Sequence, residues 1–259
     1  MIQNRLTCRY LQPTEPLMSK TVLVTGGTKG IGRAVCESLL RDGWVVVATY
    51  VSDTMTAAER TEAYASDAPG RFFTLQADCT DLGSLTTIDT FLDQHAMRLD
   101  ALVINAGITD RAAFEAITPE SWRRVFMANI DYPVFLIQRL YNRLNEQAAI
   151  VFTGSLMGIH PHAMSLSYGV SKAAVHALVK NLVKFMASKQ IRVNAVAPGF
   201  VETDWHRNKP AEIRRNITEK IATGRFCTPE EVAAVYLMLI HNTYMNGEVV
   251  VCDGGYMAS

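Results

Sequence analysis

The sequence predicts an α/β fold, a doubly wound seven-stranded parallel sheet with helices on both faces. Three observations predict it. Short Val- and Ile-rich runs with little polar alternation recur along the chain, as expected for strands covered on both faces. Helical stretches separate them in regular alternation, which implies βαβ units. A glycine-rich turn joins the first run to the first helical stretch, where such sheets bind phosphate groups.

The elements follow in order. "TVLVTG" (21–26) is a β-rich run ending in glycine, and "GRAVCESLLRDG" (32–43) is a helix closing on Gly43. "WVVVATY" (44–50) is a buried strand, followed by the polar helix "TMTAAERTEAYA" (54–65). "RFFTLQAD" (71–78), "ALVINAG" (101–107), "AAIVFTG" (148–154), "IRVNAVAPG" (191–199) and "EVVVCDGG" (248–255) supply the remaining strands. Right-handed crossovers place the strands' carboxyl ends along one edge, where ligands bind. No linker-like stretch or internal repeat breaks the run, so 18–259 reads as one domain. Residues 1–17 read differently: two prolines, no apolar signal-peptide stretch, and a second methionine, Met18, just beyond. They are expected to be a loose extension or to precede a natural start at Met18.

With 25 basic and 25 acidic side chains the formal charge is zero, so neither nucleic acid nor an anionic membrane is a default partner. No run approaches the ~20 apolar residues of a membrane helix, and a cytoplasmic location is expected. The cysteines (Cys8, Cys36, Cys79, Cys227, Cys252) are odd in number and lack a C-x-x-C pair, which argues against a disulfide framework. Cys36 and Cys79 read as small apolar filler.

In "TGGTKGIG" (25–32), Gly26 permits the tight turn, Gly30 lets backbone approach a pyrophosphate, and Gly32 lets the helix pack on the sheet. Farther on, "YGVSK" places Tyr168 and Lys172 four residues apart, on one helix face. Alone, the pair is either a surface contact or a catalytic acid beside a cation.

These residues, with "INAG" (104–107), "ADCTD" around Asp78, Asn129, Ser155 and "PGFVET", occur in the order and spacing of the short-chain dehydrogenase/reductase superfamily. The chain resembles that superfamily from Lys20 to Gly255, which implies a single-domain Rossmann fold and a nicotinamide cofactor. The resemblance implies that Asn129, Ser155, Tyr168 and Lys172 form a catalytic tetrad. It implies cofactor contacts from Gly26, Thr28, Lys29, Gly30, Ile31, Gly32, Tyr50, Asp78, Asn105, Ala106, Gly107, Tyr168, Lys172, Pro198, Gly199, Val201 and Thr203. Asp78 would hold the adenine edge, with a turn cap as its structural alternative. Asn129 would hold a water next to the lysine or mark a helix kink.

A tyrosine near ~10 exchanges protons poorly at neutrality, and bringing it toward ~7 takes about 4 kcal/mol. One cation about 4 Å away supplies about that much at an effective dielectric of ~20, and Lys172 is read as that cation. Tyr50 stands where NAD-selective relatives carry a carboxylate, and Lys29 where NADP-dependent ones carry a base. NADP(H) is therefore preferred over NAD(H), with Asp53 read as a helix N-cap. Lys29 is otherwise a solvated loop lysine.

"NAGITDRAAFEAITPESWRRVFMANI" is similar to bacterial 3-oxoacyl-[acyl-carrier-protein] and acetoacetyl-CoA reductases, implying a role in fatty acid biosynthesis. Arg207, Lys209, Arg214, Arg215, Lys220 and Arg225 in the 204–225 lid, with Arg123, Arg124 and Lys184, would form a basic rim for a carrier protein or CoA, or else a solvated helix. The sequence departs from that group at Asp110–Arg111, Phe185, Gln190 and the short "LIHNTYMNGE". The alternatives are a dehydrogenase of a small polyol, sugar or hydroxysteroid, and a non-catalytic dinucleotide-binding regulatory protein. His160 and His162 read as loop histidines, and no metal-ligand spacing accompanies them. Met157 and Met164 would line an apolar pocket or fill the core. The family likeness implies a homotetramer or homodimer packed through long helices around 112–145 and 166–188.

Overall fold

The computed structural model describes residues 19–161, 164–207 and 209–258. The expectations for 1–17, Cys8, Met18 and His162 lie outside the described residues.

Seven strands form one parallel sheet: β1 (Thr21–Val24), β2 (Val45–Tyr50), β3 (Phe72–Gln76), β4 (Leu99–Ile104), β5 (Leu144–Thr153), β6 (Arg192–Pro198) and β7 (Val249–Cys252). Their order is β3-β2-β1-β4-β5-β6-β7. The chain leaves β1 toward β2 and leaves β4 toward β5, so the topological switch point lies between β1 and β4.

The helices are α1 (Gly30–Arg41), α2 (Thr54–Ala65), α3 (Ser84–Gln94), α4 (Pro119–Phe126), α5 (Tyr132–Leu140), α6 (Leu166–Met186), α7 (Asp204–Arg207), α8 (Ala211–Thr218) and α9 (Pro229–His241). Their ends follow local chemistry. Asp53 caps α2 by accepting the Thr56 N–H at 3.0 Å, as read from the sequence. Gly43 closes α1: the Trp44 N–H reaches back to Leu39 O at 3.0 Å and the Gly43 N–H to Leu40 O at 3.1 Å. Thr228 and Glu231 form a reciprocal capping box at the start of α9, with Pro229 in the first turn.

Alternation within the strands divides the core. Leu23, Val47, Leu102, Ile150 and Val193 face one way, against Leu92, Leu136, Leu140, Val175 and Val179 of α3, α5 and α6. Val22, Val24, Val46, Val103 and Val151 face the other way, against Val35, Leu39, Val232 and Tyr236 of α1 and α9. Both faces are covered by helices, which is why the runs show no polar alternation. A third cluster (Leu156, Ile221, Phe226, Tyr256) links the segment after β5 to the lid region and the carboxyl end.

One element differs from expectation. The long helix expected over 112–145 is a short 3-10 turn (Phe114–Ala116) followed by α4, a π-helical turn (Met127–Asp131) and α5. Asn129 sits within that π turn. Among the described residues, no helix is long and apolar enough to cross a membrane.

Candidate active site

The cleft opens at the carboxyl ends of β1 and β4, and the chain's own hydrogen bonds build its floor. Thr25 Oγ1 accepts the N–H groups of Asn105 and Ala106, each at 3.0 Å. Asn105 Nδ2 donates back to Thr25 O and Gly26 O, each at 3.1 Å. Gly26 takes φ 64°, open to glycine at low cost. A Cβ on Gly32 would stand 2.2 Å from Gly26 O, so the sequence can place only glycine where α1 meets the turn. Lys29 gives α1 no side-chain cap, leaving the helix's first N–H groups to an anion.

A cavity of about 440 Å³ lies over this floor. Of the predicted residues, Gly26, Lys29, Gly30, Ile31, Asn105, Ala106, Gly107, Ser155, Tyr168, Lys172, Pro198, Gly199, Val201 and Thr203 line it. Thr28 lines an adjoining polar cavity of about 530 Å³, together with Lys29, Gly30, Arg33 and Arg60. The cradle is tight: a Cβ on Gly30 would stand 3.2 Å from Thr203 Cγ2. The residues therefore fit a dinucleotide, with free backbone donors at one turn and small residues where backbone must approach.

Four predicted positions do not line either cavity: Gly32, Tyr50, Asp78 and Asn129. Gly32 acts through packing, as above. Tyr50 ends β2, and the next residue, Val51, lines the cavity in its place. Asp78 Oδ1 accepts the Thr80 N–H at 2.8 Å and the Thr80 hydroxyl at 2.9 Å, the turn-cap arrangement, while Cys79 lines the cavity. Cys79 is thus more than core filler, although burial pushes its thiol up to about 11.

Asn129 is buried behind the cavity. Its Oδ1 accepts the Ile108 N–H at 2.9 Å, and its Nδ2 donates to Ile108 O at 3.0 Å and Ser171 Oγ at 2.9 Å. Gly107 makes room for it, because a Cβ there would lie 2.9 Å from Asn129 Oδ1.

Tyr168 and Lys172 sit one turn apart on α6, whose start is capped by Ser165. The Lys172 Nζ donates to Thr153 O at 2.6 Å and stands 5.5 Å from the centre of the Tyr168 ring. Thr153 Oγ1 shares a 2.6 Å hydrogen bond with the Tyr236 hydroxyl of α9. One residue of β5 thus ties the helix on one sheet face to the lysine on the other.

The electrostatics correct the expectation that Lys172 brings the phenol toward neutrality. Burial pushes the Tyr168 phenol above its ordinary value, opposed only by a hydrogen bond from the Ser155 hydroxyl. The same burial brings the Lys172 ammonium down to about 8. In both groups desolvation is the largest cause of the shift.

Lys29 is not a free loop lysine: it ion-pairs with Asp53. In the lid, Arg207 pairs with Asp204, Arg214 with Glu202 and Arg225 with Glu231, so three of the six predicted lid cations are engaged by carboxylates. Lys184 follows Tyr168 by about 24 Å along α6 at 1.5 Å per residue, too far to share a rim with the lid. Met157 lines the cavity, whereas Met164 and His160 are exposed. Among the described residues, no group of three or more His, Cys, Asp or Glu could hold a metal ion.

Two neighbours of the site escaped the sequence reading. Trp205 of α7 lies across Tyr168, ring centres 5.8 Å apart. His176, one turn beyond Lys172, accepts the Ser155 N–H at Nε2, 3.3 Å away. Its signal was present as the spacing 168, 172, 176 on one helix face.

A family model described as enoyl-(acyl carrier protein) reductase matches residues 26–257. The 3-oxoacyl-[acyl-carrier-protein] reductase FabG of Thermotoga maritima is 34% identical over 244 residues, covering 92% of this chain and 98% of that protein. The acetoacetyl-CoA reductase of a Synechocystis species is 32% identical over 245 residues, covering 93% and 97%. A short chain dehydrogenase from Burkholderia cenocepacia, solved in complex with NADP, superposes with a TM-score of 0.85 at 27% identity, covering 92% of this chain and 98% of that one.

Proposed function

The chain belongs to the short-chain dehydrogenase/reductase family of oxidoreductases, and from that premise we propose that it reduces the ketone of a 3-oxoacyl thioester to an alcohol using NADPH. The observation carrying this reading is the single cavity of about 440 Å³ in which Ser155, Tyr168 and Lys172 meet the glycine turn. The turn at Gly26 to Gly30, Asn105 to Gly107, Lys172 and Thr203 would hold the dinucleotide. When bound, its nicotinamide supplies the hydride.

The chain supplies the proton. A phenol held above its ordinary value stays protonated at neutral pH, so Tyr168 is an acid that gives its proton only when negative charge develops on the substrate oxygen. The Ser155 hydroxyl accepts the Met157 N–H at 3.1 Å, and its one proton, which faces the Tyr168 oxygen in the free site, would turn to the substrate oxygen when that is bound. Lys172, protonated below about 8, steadies the phenolate left behind.

NADPH rather than NADH is supported by Lys29 at the cavity wall and by the absence of a carboxylate at Tyr50. Asp53 opposes it by engaging Lys29. The thioester substrate is supported by the two curated relatives above, whose names specify acyl-carrier-protein and CoA substrates. A second reading, a dehydrogenase of a small polyol, sugar or hydroxysteroid, is favoured by one observation: three of the six lid cations are engaged by carboxylates of the chain itself, which reduces the charge offered to a carrier. Exposed Phe135 on α5 and Phe185 on α6 are compatible with a dimer or tetramer.

An assay of NADPH and NADH oxidation on acetoacetyl-CoA, a 3-oxoacyl thioester mimic, sugars and steroid ketones tests both readings. Thioester turnover with NADPH is expected to lead. Cofactor binding without turnover on any of these would sink the enzymatic reading.

A further inference from the structure

Ser155 is the second residue past the end of β5, where the ladder runs out. The Gly154 N–H still reaches Val196 O of β6 at 2.7 Å. The next N–H, that of Ser155, lies beyond both ladders, since the pairing of β5 ends at Phe152 with Ile104 of β4 and at Thr153 with Val196 of β6. A buried N–H must find another partner. It finds His176 Nε2, 3.3 Å away.

The chain is shaped around that ring. A Cβ on Gly154 would stand 2.3 Å from His176 Nε2, and one on Gly158 would stand 2.8 Å from His176 Cε1. The two glycines flank the Ser155 turn, and the ring sits against both. Ser155 in turn caps the 3-10 turn Leu156–Gly158 through its hydroxyl. Burial, reinforced by Lys172 and Lys180, brings the His176 imidazole down to about 4, so the ring is neutral at pH 7, and because Nε2 accepts the Ser155 N–H the proton rests on Nδ1.

We propose that His176 is a positioning residue for Ser155: its ring, seated between Gly154 and Gly158, accepts the Ser155 N–H and so fixes the direction of the serine hydroxyl. The inference rests on the reading of Ser155 given above. An aliphatic side chain at 176 would fill the space yet leave the N–H unpaired. Gln reaches about as far as Nε2 and offers a carbonyl oxygen in its place.

The test compares His176→Leu, His176→Gln, Ser155→Ala and the double variant Ser155→Ala/His176→Leu, with NADPH and whichever carbonyl substrate the panel above identifies. With the Ser155 N–H unpaired the hydroxyl is no longer held toward the substrate oxygen, so His176→Leu is expected to lower kcat roughly 10- to 100-fold. Its cofactor Kd should stay within about two-fold, since the ring acts through Ser155, and His176→Gln should recover most of the loss. In the Ser155→Ala background the leucine should cost little more, because there is no hydroxyl left to direct. Wild-type kcat in His176→Leu, no recovery with Gln, or losses that multiply in the double variant would overturn the inference while leaving the reading of Ser155 intact. Wild-type turnover in Ser155→Ala would overturn the reading of Ser155 itself, and this inference with it. Imidazole 15N shifts of the unaltered protein give an arm independent of variant folding. The Nδ1–H tautomer at pH 7 is expected, and the Nε2–H tautomer would refute the assignment.

Discussion

Replacing Lys172 with methionine separates what the site costs from what it does. The side chain is 4% exposed and its ammonium has one protein acceptor, Thr153 O at 2.6 Å. Burial takes it from an ordinary 10.5 to about 8, which corresponds to about 3 kcal/mol against the charged form. Below pH 8 the lysine is charged in both folded and unfolded chains, so this full penalty is present. Between about 8 and 10.5 the folded lysine has lost its proton while the unfolded one keeps it, and the native state gains stability as pH rises. Methionine removes the penalty but leaves Thr153 O without its donor, a loss of about 1–3 kcal/mol at any pH. Lys172→Met should therefore match or exceed the parent's stability at pH 7. It should fall progressively behind toward pH 10, the difference changing by about 3 kcal/mol across the interval. Urea unfolding of both proteins at several pH values reads this directly. Turnover should collapse at every pH. A stability difference that stays flat from pH 7 to 10 would falsify the assignment of Lys172 as a buried, desolvated cation.

The other expectations concern single positions. Tyr168→Phe should keep its fold and cofactor affinity and lose on the order of 10²- to 10⁴-fold in kcat, measured by steady-state kinetics; retention of most activity would remove the proton-donor role. Gly107→Ala brings a Cβ to 2.9 Å from Asn129 Oδ1 and should cost about 1–3 kcal/mol in urea unfolding, by disturbing both bonds to Ile108. Unchanged stability would mean that Asn129 has room to yield. Asp53→Asn keeps the cap on α2 but releases Lys29, so the ratio of kcat/KM for NADPH over NADH should rise severalfold. An unchanged ratio would leave Lys29 no part in cofactor choice.

The legibility of this chain in its sequence depended on distance. Features confined to one turn could be read directly: Gly43 as a helix stop, Asp53 as a cap, and Tyr168 with Lys172 on one face. Glycines at 26, 30 and 32 were legible because each answers a local demand of the strand–turn–helix. What could not be read is where desolvation wins. The upward push on Tyr168 comes from surroundings contributed by several segments, and no spacing encodes that. Nor does spacing encode the pairing of Lys29 with Asp53, which requires β2 to be docked beside β1. His176 was visible as a residue but not as a partner, because the Ser155 N–H becomes an orphan only once β5 is seen to outlast β4.

The double use of Thr153 has a consequence for how the chain acquires its shape. Its hydroxyl is held by Tyr236 and its carbonyl by Lys172, residues of helices that lie on opposite sides of the sheet. With only one helical layer attached, Thr153 would lack either the tyrosine or the lysine. Thr153, which lines the cavity, therefore has both of its partners only when α6 and α9 are docked. In refolding, recovery of ligand binding should trail recovery of helix content and coincide with the last burial of Tyr236, making occupancy of the cleft a built-in report that both layers are closed.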